Sequence, residues 1–192
     1  MMNVPVRALR ALDILRAENS GVVAIEFALV AMMFLTILAG TVDLGILIYV
    51  EEKLDTAVAA GAEYAEANAA NVNSSGGSNL AAAIAGVVAN ANGSGWANSG
   101  VCVNNGPTAA VNGSAPACSG TASNADSSYC PSGSPPSWSW GSAETPGSAC
   151  SGGGIAGKFV AITVSRNISP IFPSFGFVQN GTISQSVLVQ TQ

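Results

Sequence analysis

Histidine is absent from all 192 residues. With it go His-based general acid/base catalysis, the Ser-His-Asp and Cys-His constellations, and every His-containing metal site. Charge is scarce as well: 9 % of residues are charged, where an ordinary soluble domain carries roughly a quarter. The few bases do not gather into a patch. Arg7, Arg10 and Arg16 stand against Asp13 and Glu18 ahead of Gly21, and beyond residue 50 three bases face seven acids, within a net charge of −5. A nucleic-acid surface is therefore excluded. The cysteines, at spacings of 16, 12 and 20 residues, contain no C-x₂-C pair, which removes the common zinc patterns. Asp126 and Glu144 are the only acids between residues 92 and 154, with no group beside them in the sequence to activate a nucleophile. No catalytic residue, metal or cofactor is expected.

Apolar residues are abundant instead, at 48 %. From residue 22 to residue 50 the chain reads VVAIEFALVAMMFLTILAGTVDLGILIYV, interrupted by Glu26 and Asp43 alone. A helix of this stretch is roughly 43 Å long, enough for a bilayer with its interfaces. The uncharged centre, 27–42, is 16 residues, short of the roughly 20 a span needs, so the span must take in at least one of the two acids. Three arginines precede it and Lys53 follows it, a bias that puts the N-terminus in the cytoplasm and the bulk of the chain outside. Residues 1–21 lack the apolar core of a secretory signal peptide and read as a short cytoplasmic leader.

Beyond the span, Leu54, Val58, Gly61 or Ala62, and Ala65 recur at helical spacing in an alanine-rich stretch, which predicts a helix over 51–70. A second helix is predicted over 79–91, capped by Ser78 or Asn79, with Leu80, Ile84, Val87 and Val88 on its apolar face. Residues 92–154 turn to Gly, Ser, Asn, Ala and Pro and read as irregular loops with one short strand at 101–103. KFVAITVS (158–165) and ISQSVLVQ (183–190) read as strands, joined by a long connection marked by Pro170, Pro173, Gly176 and Asn180-Gly181. Cys102, Cys118, Cys130 and Cys150 all fall after the apolar stretch. Their even number points to two disulfides in an oxidising compartment. Of the three possible connectivities, Cys102–Cys118 with Cys130–Cys150 is the preferred one, each closure contributing about 3 kcal/mol in the chain-entropy model. Trp138 and Trp140 supply either a small core for these loops or an exposed stacking patch. The expected architecture is α+β: a long N-terminal transmembrane helix over 22–50, then an extracytoplasmic domain over 51–192 with a second helix, a three- or four-stranded antiparallel sheet, its clear strands within 155–192, and disulfide-held loops.

Glu26 decides among functions. A carboxylate at the centre of a membrane helix costs on the order of 2.5–3.5 kcal/mol, so one near its start calls for a partner or a role. It lies five positions after Gly21, in Gly21-Val22-Val23-Ala24-Ile25-Glu26-Phe27. That arrangement resembles the type IV prepilin pattern of a glycine, a cut, four mostly apolar residues and a glutamate. The longer run GVVAIEFALVAMMFLTILAGTVDLG, followed by YVEEKLDTAVAAGAEYAEA, resembles the TadE-like family of tight-adherence (Flp) pilus proteins, and VAITVSRNISPIFPSF resembles that family's strand leading into a proline-containing loop.

The resemblance implies a minor pilin or pseudopilin, cut between Gly21 and Val22 by a prepilin peptidase, with Glu26 and Phe27 setting assembly register. It implies as partners other pilins or pseudopilins of the same system, the inner-membrane assembly platform and membrane lipid. The location it implies is the bacterial inner membrane, with the C-terminal domain periplasmic or carried into the pilus. Two other readings use the same residues: an uncleaved single-pass envelope protein supporting the secretion apparatus, and an adhesin with cysteine-rich binding loops.

Overall fold

No proline occurs between Pro5 and Pro107, so nothing in that stretch removes a helical hydrogen bond or forces a kink. The computed structural model describes residues 20–171 and 181–192. Helix α1 runs Ser20–Ala67 without interruption, and α2 runs Gly77–Asn90. The expected leader up to residue 19, and Pro173, Gly176 and Asn180 of the connection before the last strand, lie outside the described residues. The chain divides into two units, Met1–Leu44 and Gly45–Gln192, and α1 contributes to both.

In the first unit the described part of α1 is apolar on every side apart from Glu26 and Asp43, a pattern compatible with an apolar surrounding. In the second unit it becomes one-sided. Val50, Leu54, Ala57, Val58 and Ala65 are buried at helical spacing, while Glu51, Glu52, Asp55, Glu63 and Glu66 are exposed. The helix ends where Asn68 turns its carboxamide back to donate to the Tyr64 carbonyl at 2.9 Å, the acceptor its own backbone N–H also reaches at 3.1 Å. A 3₁₀ turn, Ala69–Asn71, follows.

Helix α2 starts at Gly77 rather than at the expected residue 79, and neither Ser78 nor Asn79 caps it. Asn73 organises the entry instead: its Oδ1 accepts the backbone N–H groups of Ser75 at 2.9 Å and Gly76 at 2.7 Å. This is an Asx turn that feeds directly into the helix. Leu80, Ile84 and Val88 are buried, whereas Val87 falls off the buried face.

The stretch 92–154, read from sequence as loops with one strand, contains four. β1 is Asn98–Val103 and β2 is Thr108–Val111, joined through Asn104 and Asn105, both at positive φ. β3 (Ser132–Ser134) and β4 (Ser137–Ser139) form a small separate hairpin. β5 (Phe159–Asn167) and β6 (Thr182–Gln190) are the two long strands. β2, β1, β5 and β6 make one antiparallel sheet in that order. The fold class is thus α+β, with a four-stranded antiparallel sheet and disulfide-held loops.

The sheet is covered on both faces. Val101, Val103, Val160, Ile162 and Val164 join the buried residues of α1 and α2 in one core. Leu54, Ile84 and Ile162 are fully buried there, each worth roughly 1.5–3 kcal/mol of apolar transfer. On the opposite face Cys102 and Ala161 pack with Tyr129 and Trp140 of the loops. Gly100 permits that second layer, since a Cβ there would collide with the backbone of Ser114 and Ala115. β1 is consequently buried along nearly its whole length.

The helical core closes at Gly61. A Cβ at this position would lie 2.5 Å from Val88 Cγ2 and 3.3 Å from Ile162 Cδ1, and valine, branched at Cβ, has little rotamer freedom to yield. Gly86 on α2 has nothing within 4 Å of the same point. One substitution should therefore act with opposite signs at the two glycines. Gly61→Ala should destabilise the domain by about 1–3 kcal/mol through overpacking, and Gly86→Ala should stabilise it by about 0.5–1 kcal/mol through helix propensity. Urea unfolding of the two variants reads the sign directly, and a stabilised Gly61→Ala protein would refute the close-packing account.

Candidate functional site

The predicted processing and register residues lie at the start of α1, in the first unit. Gly21, Val22, Glu26 and Phe27 are all exposed, Phe27 to 73 %. A Cβ added at Gly21 would meet nothing within 4 Å, so its backbone is open to close approach from outside. The Gly21–Val22 peptide lies within α1, Ser20–Ala67.

Large apolar side chains continue in the open beyond it: Leu29, Met32, Met33, Phe34, Leu35, Ile37 and Leu38 are exposed on a helix with no protein against them. None of the most apolar window is buried, and by length and composition this is the one helix among the described residues able to cross a membrane. Its two central hydroxyls do not need water. Thr36 Oγ1 donates to the Met33 carbonyl at 2.8 Å and Thr41 Oγ1 to the Leu38 carbonyl at 2.7 Å, so both polar groups are satisfied within the helix, as a lipid environment demands. Glu26 has no such internal use, and a carboxylate in this apolar stretch calls for a partner or a role.

Residues 21–63 match the family model described as TadE-like protein. No curated protein and no solved structure matches the chain.

The TadE-like segment opens at Gly21, includes Glu26, Phe27 and Asp43, and extends through the buried helix face from Val50 to Gly61. Its far end is thus the part of α1 that carries the core of the second unit. The cysteine-bearing loops lie outside the match. There the four cysteines form the disulfides Cys102–Cys118 and Cys130–Cys150, with Cα separations of 6.3 Å and 5.6 Å. Among the described residues no three His, Cys, Asp or Glu side chains cluster as a metal site would require.

The loop aromatics supply a core and not a stacking patch. Trp140 is 6 % exposed, its Nε1 donates to the Ala117 carbonyl at 3.1 Å, and its ring meets Tyr129 edge-on at 5.9 Å and 78°. Trp138 is half-buried against the same cluster. Its Nε1 is buried without a hydrogen-bond partner, a costly state for a polar group.

Two residues that sequence reasoning passed over organise this half of the domain. Asn104 is fully buried. Its Oδ1 accepts Phe159 N–H at 3.1 Å and its Nδ2 donates to the Ala125 carbonyl at 3.0 Å and to the Ser127 carbonyl, tying the ends of β1 and β5 to the 3₁₀ turn Ala122–Asp126. The Asn105-Gly106 pair behind it was a readable turn signal; the burial of Asn104 was not. Asp126 belongs to a clamp on the turn that follows α1. Its Oδ1 accepts Ser74 N–H at 2.8 Å, Lys158 Nζ donates to the Val72 carbonyl at 2.7 Å, and Gln192 Nε2 donates to the Ala69 carbonyl at 2.8 Å.

The tryptophans give a paired test. Trp138→Phe removes an unsatisfied N–H and should leave the thermal midpoint unchanged or raise it, whereas Trp140→Phe strands the Ala117 carbonyl and should lower stability by about 1–2 kcal/mol. Calorimetry on both variants checks this. Asp126 gives a pH test. The backbone N–H of Ser74, then its side chain, hold the Asp126 carboxyl below the usual carboxylate range, with desolvation opposing and the charge of Lys158 assisting. A depressed folded-state value stabilises the fold above the unfolded value of about 3.9, and that contribution is lost as pH falls through the folded value. Asp126→Asn should therefore lower the urea midpoint at neutral pH and flatten the acid limb of the stability curve. An acid limb identical to that of the native protein would remove Asp126 from the account.

Proposed function

We propose that this chain is a minor pilin or pseudopilin of a tight-adherence, Flp-type pilus, cut between Gly21 and Val22 by a prepilin peptidase and active in pilus assembly and surface adhesion. The observation that carries the proposal is the TadE-like match, which begins at Gly21 itself, and the match supports involvement in such a pilus system. The open Gly21 backbone suits a protease that must approach the chain closely at the cut.

Cleavage there leaves a new ammonium group on Val22 and moves Glu26 to within about one turn of the helix start. In an apolar bundle neither charge can remain alone without a large desolvation penalty. The Val22 ammonium of one subunit and the Glu26 carboxylate of its neighbour satisfy each other only at one axial offset, and Phe27, exposed in the single chain, packs at that same offset. Glu26 then acts as a register key, with no catalytic part. The chain is held in the inner membrane by α1, with the N-terminus cytoplasmic and residues 51–192 periplasmic, among sibling pilins or pseudopilins and the assembly platform.

Intact mass and N-terminal sequencing, on protein from cells with and without the prepilin peptidase, test the first step. A chain starting at Val22 only when the peptidase is present is the expected result; full-length protein in both strains would instead identify an uncleaved anchor that supports the apparatus. Glu26→Gln should then be cut normally yet enter pili at least about tenfold less well, the loss of one charged partner in an apolar site.

A further inference from the structure

Within the second unit no linker separates the open apolar side of α1 from the domain core. Ile46, Ile48 and Tyr49 are exposed, and Val50, the next residue, is buried, with Leu54 buried one turn further on. The packing of the domain therefore begins about 1.5 Å of helix rise beyond Tyr49.

Two other segments come to this same end of the domain. The turn after α2 is tied to α1 where Asn92 Nδ2 donates to the Lys53 carbonyl at 2.9 Å. The end of β5 is tied to that turn in its own way: Arg166 donates to the Trp96 carbonyl, and its guanidinium carbon lies 4.4 Å from the centroid of the Trp96 ring. On α1, Lys53 leans back one turn, as helical side chains do, and places Nζ 5.7 Å from the centroid of the Tyr49 ring. Two aromatic side chains, each with a cation on its face, thus stand at the end where α1 enters the domain. The third cation beyond residue 50, Lys158, lies at the other end of β5, on the Val72 carbonyl.

Rings with one apolar and one wet side collect at the boundary of a bilayer, and lysine and arginine beside them reach for its phosphates. The helix rise says where that boundary falls. A hydrocarbon core of roughly 30 Å takes about 20 residues, so a span counted from Phe27 ends near Ile46, and the headgroup layer covers about the next four or five. Tyr49, and the Lys53 ammonium drawn back beside it, lie in that layer. The end of the domain, packed from Val50 onward, has no length of chain with which to stand clear of it. Glu51, Glu52 and Asp55 are exposed nearby, and Glu51 is 3.5 Å from Gln185 Nε2. The charges at this end are therefore mixed, which suits a zwitterionic headgroup better than an anionic one.

We propose that this end of the domain is a lipid seat: Trp96 and Tyr49 lie in the interfacial layer, and Arg166 and Lys53 bind the phosphates of zwitterionic lipids around the span. The inference rests on α1 as a membrane anchor and adds a lipid contact made by α2's turn and β5, outside the span.

The full chain, reconstituted in vesicles of phosphatidylethanolamine and phosphatidylcholine with brominated acyl chains and collected by flotation, tests the seat through tryptophan fluorescence. Bromines just below the headgroups should quench a component of the native emission that Trp96→Phe lacks, because Trp138 and Trp140 belong to the loop layer on the other face of the sheet. Lys53→Gln combined with Arg166→Gln should lose that quenching and open Trp96 to aqueous iodide, whereas Arg166→Lys, which keeps the charge, should retain it. Equal bromine quenching of the native chain and Trp96→Phe in floated vesicles would overturn the seat and leave the anchor standing. So would a native Trp96 reached by iodide and not by bromine. A chain that fails to float would remove the anchor itself, and the seat with it.

Discussion

At Gly61 the backbone of α1 approaches so closely that the methyl group of an alanine has no room between it and Val88 and Ile162. Three elements meet there: α1, α2 and the central strand β5. The approach sets how deeply Leu54, Val58 and Ala65 sink into the core, and so fixes one face of the sheet in relation to the helix that carries it. The remaining structure of the second unit follows from having to cover the other face. A 14-residue α2 and a single length of α1 can shield only one side of four strands, and the second side is left to loops of glycine, serine and asparagine.

Those loops have little apolar surface of their own, and the two disulfides and a few aromatic residues supply what burial cannot. Cys102 sits near the end of β1, fully buried, and its link to Cys118 draws the loop across the sheet above Gly100. Cys130–Cys150 closes the segment that contains Trp138 and Trp140. Asn104 then binds this layer to β5 through its side chain, replacing with hydrogen bonds the packing that larger side chains would provide elsewhere. The domain therefore has two cores of different character, one held by apolar area and one by covalent and polar links.

How much of this was legible from the chain follows the same division. The apolar helix, the helical face from Leu54 to Ala65 and strands β5 and β6 all announce themselves by periodicity or by β-branched runs, because their burial is one-sided or complete over many residues. β2 and the β3–β4 hairpin do not. TAAV, SGS and SWS have no hydrophobic alternation, and they are strands because neighbouring backbone pairs with them. α2 started two residues early because Asn73, outside the helix, organised its entry. The clamp of Asp126, Lys158 and Gln192 was beyond reach for a different reason: it brings together residues from distant parts of the chain around the carbonyls of a turn, and backbone acceptors leave no trace in a sequence. In the first unit the situation is reversed. There the order of side chains from Gly21 to Phe27 carries the functional reading, and the helix adds only that they are open.

Between residues 92 and 154 only Asp126 and Glu144 carry charge, and Asp126 is engaged with Ser74. The layer that covers the sheet thus meets water through hydroxyls, amides and peptide groups. Dissolved ions act by shortening the range of electrostatic forces between charges, and here they have almost nothing to act upon. Contacts made by this surface keep nearly the same strength in fresh water, in brine or in a fluctuating film of either, a form of constancy that a protein coated with lysine and glutamate does not have.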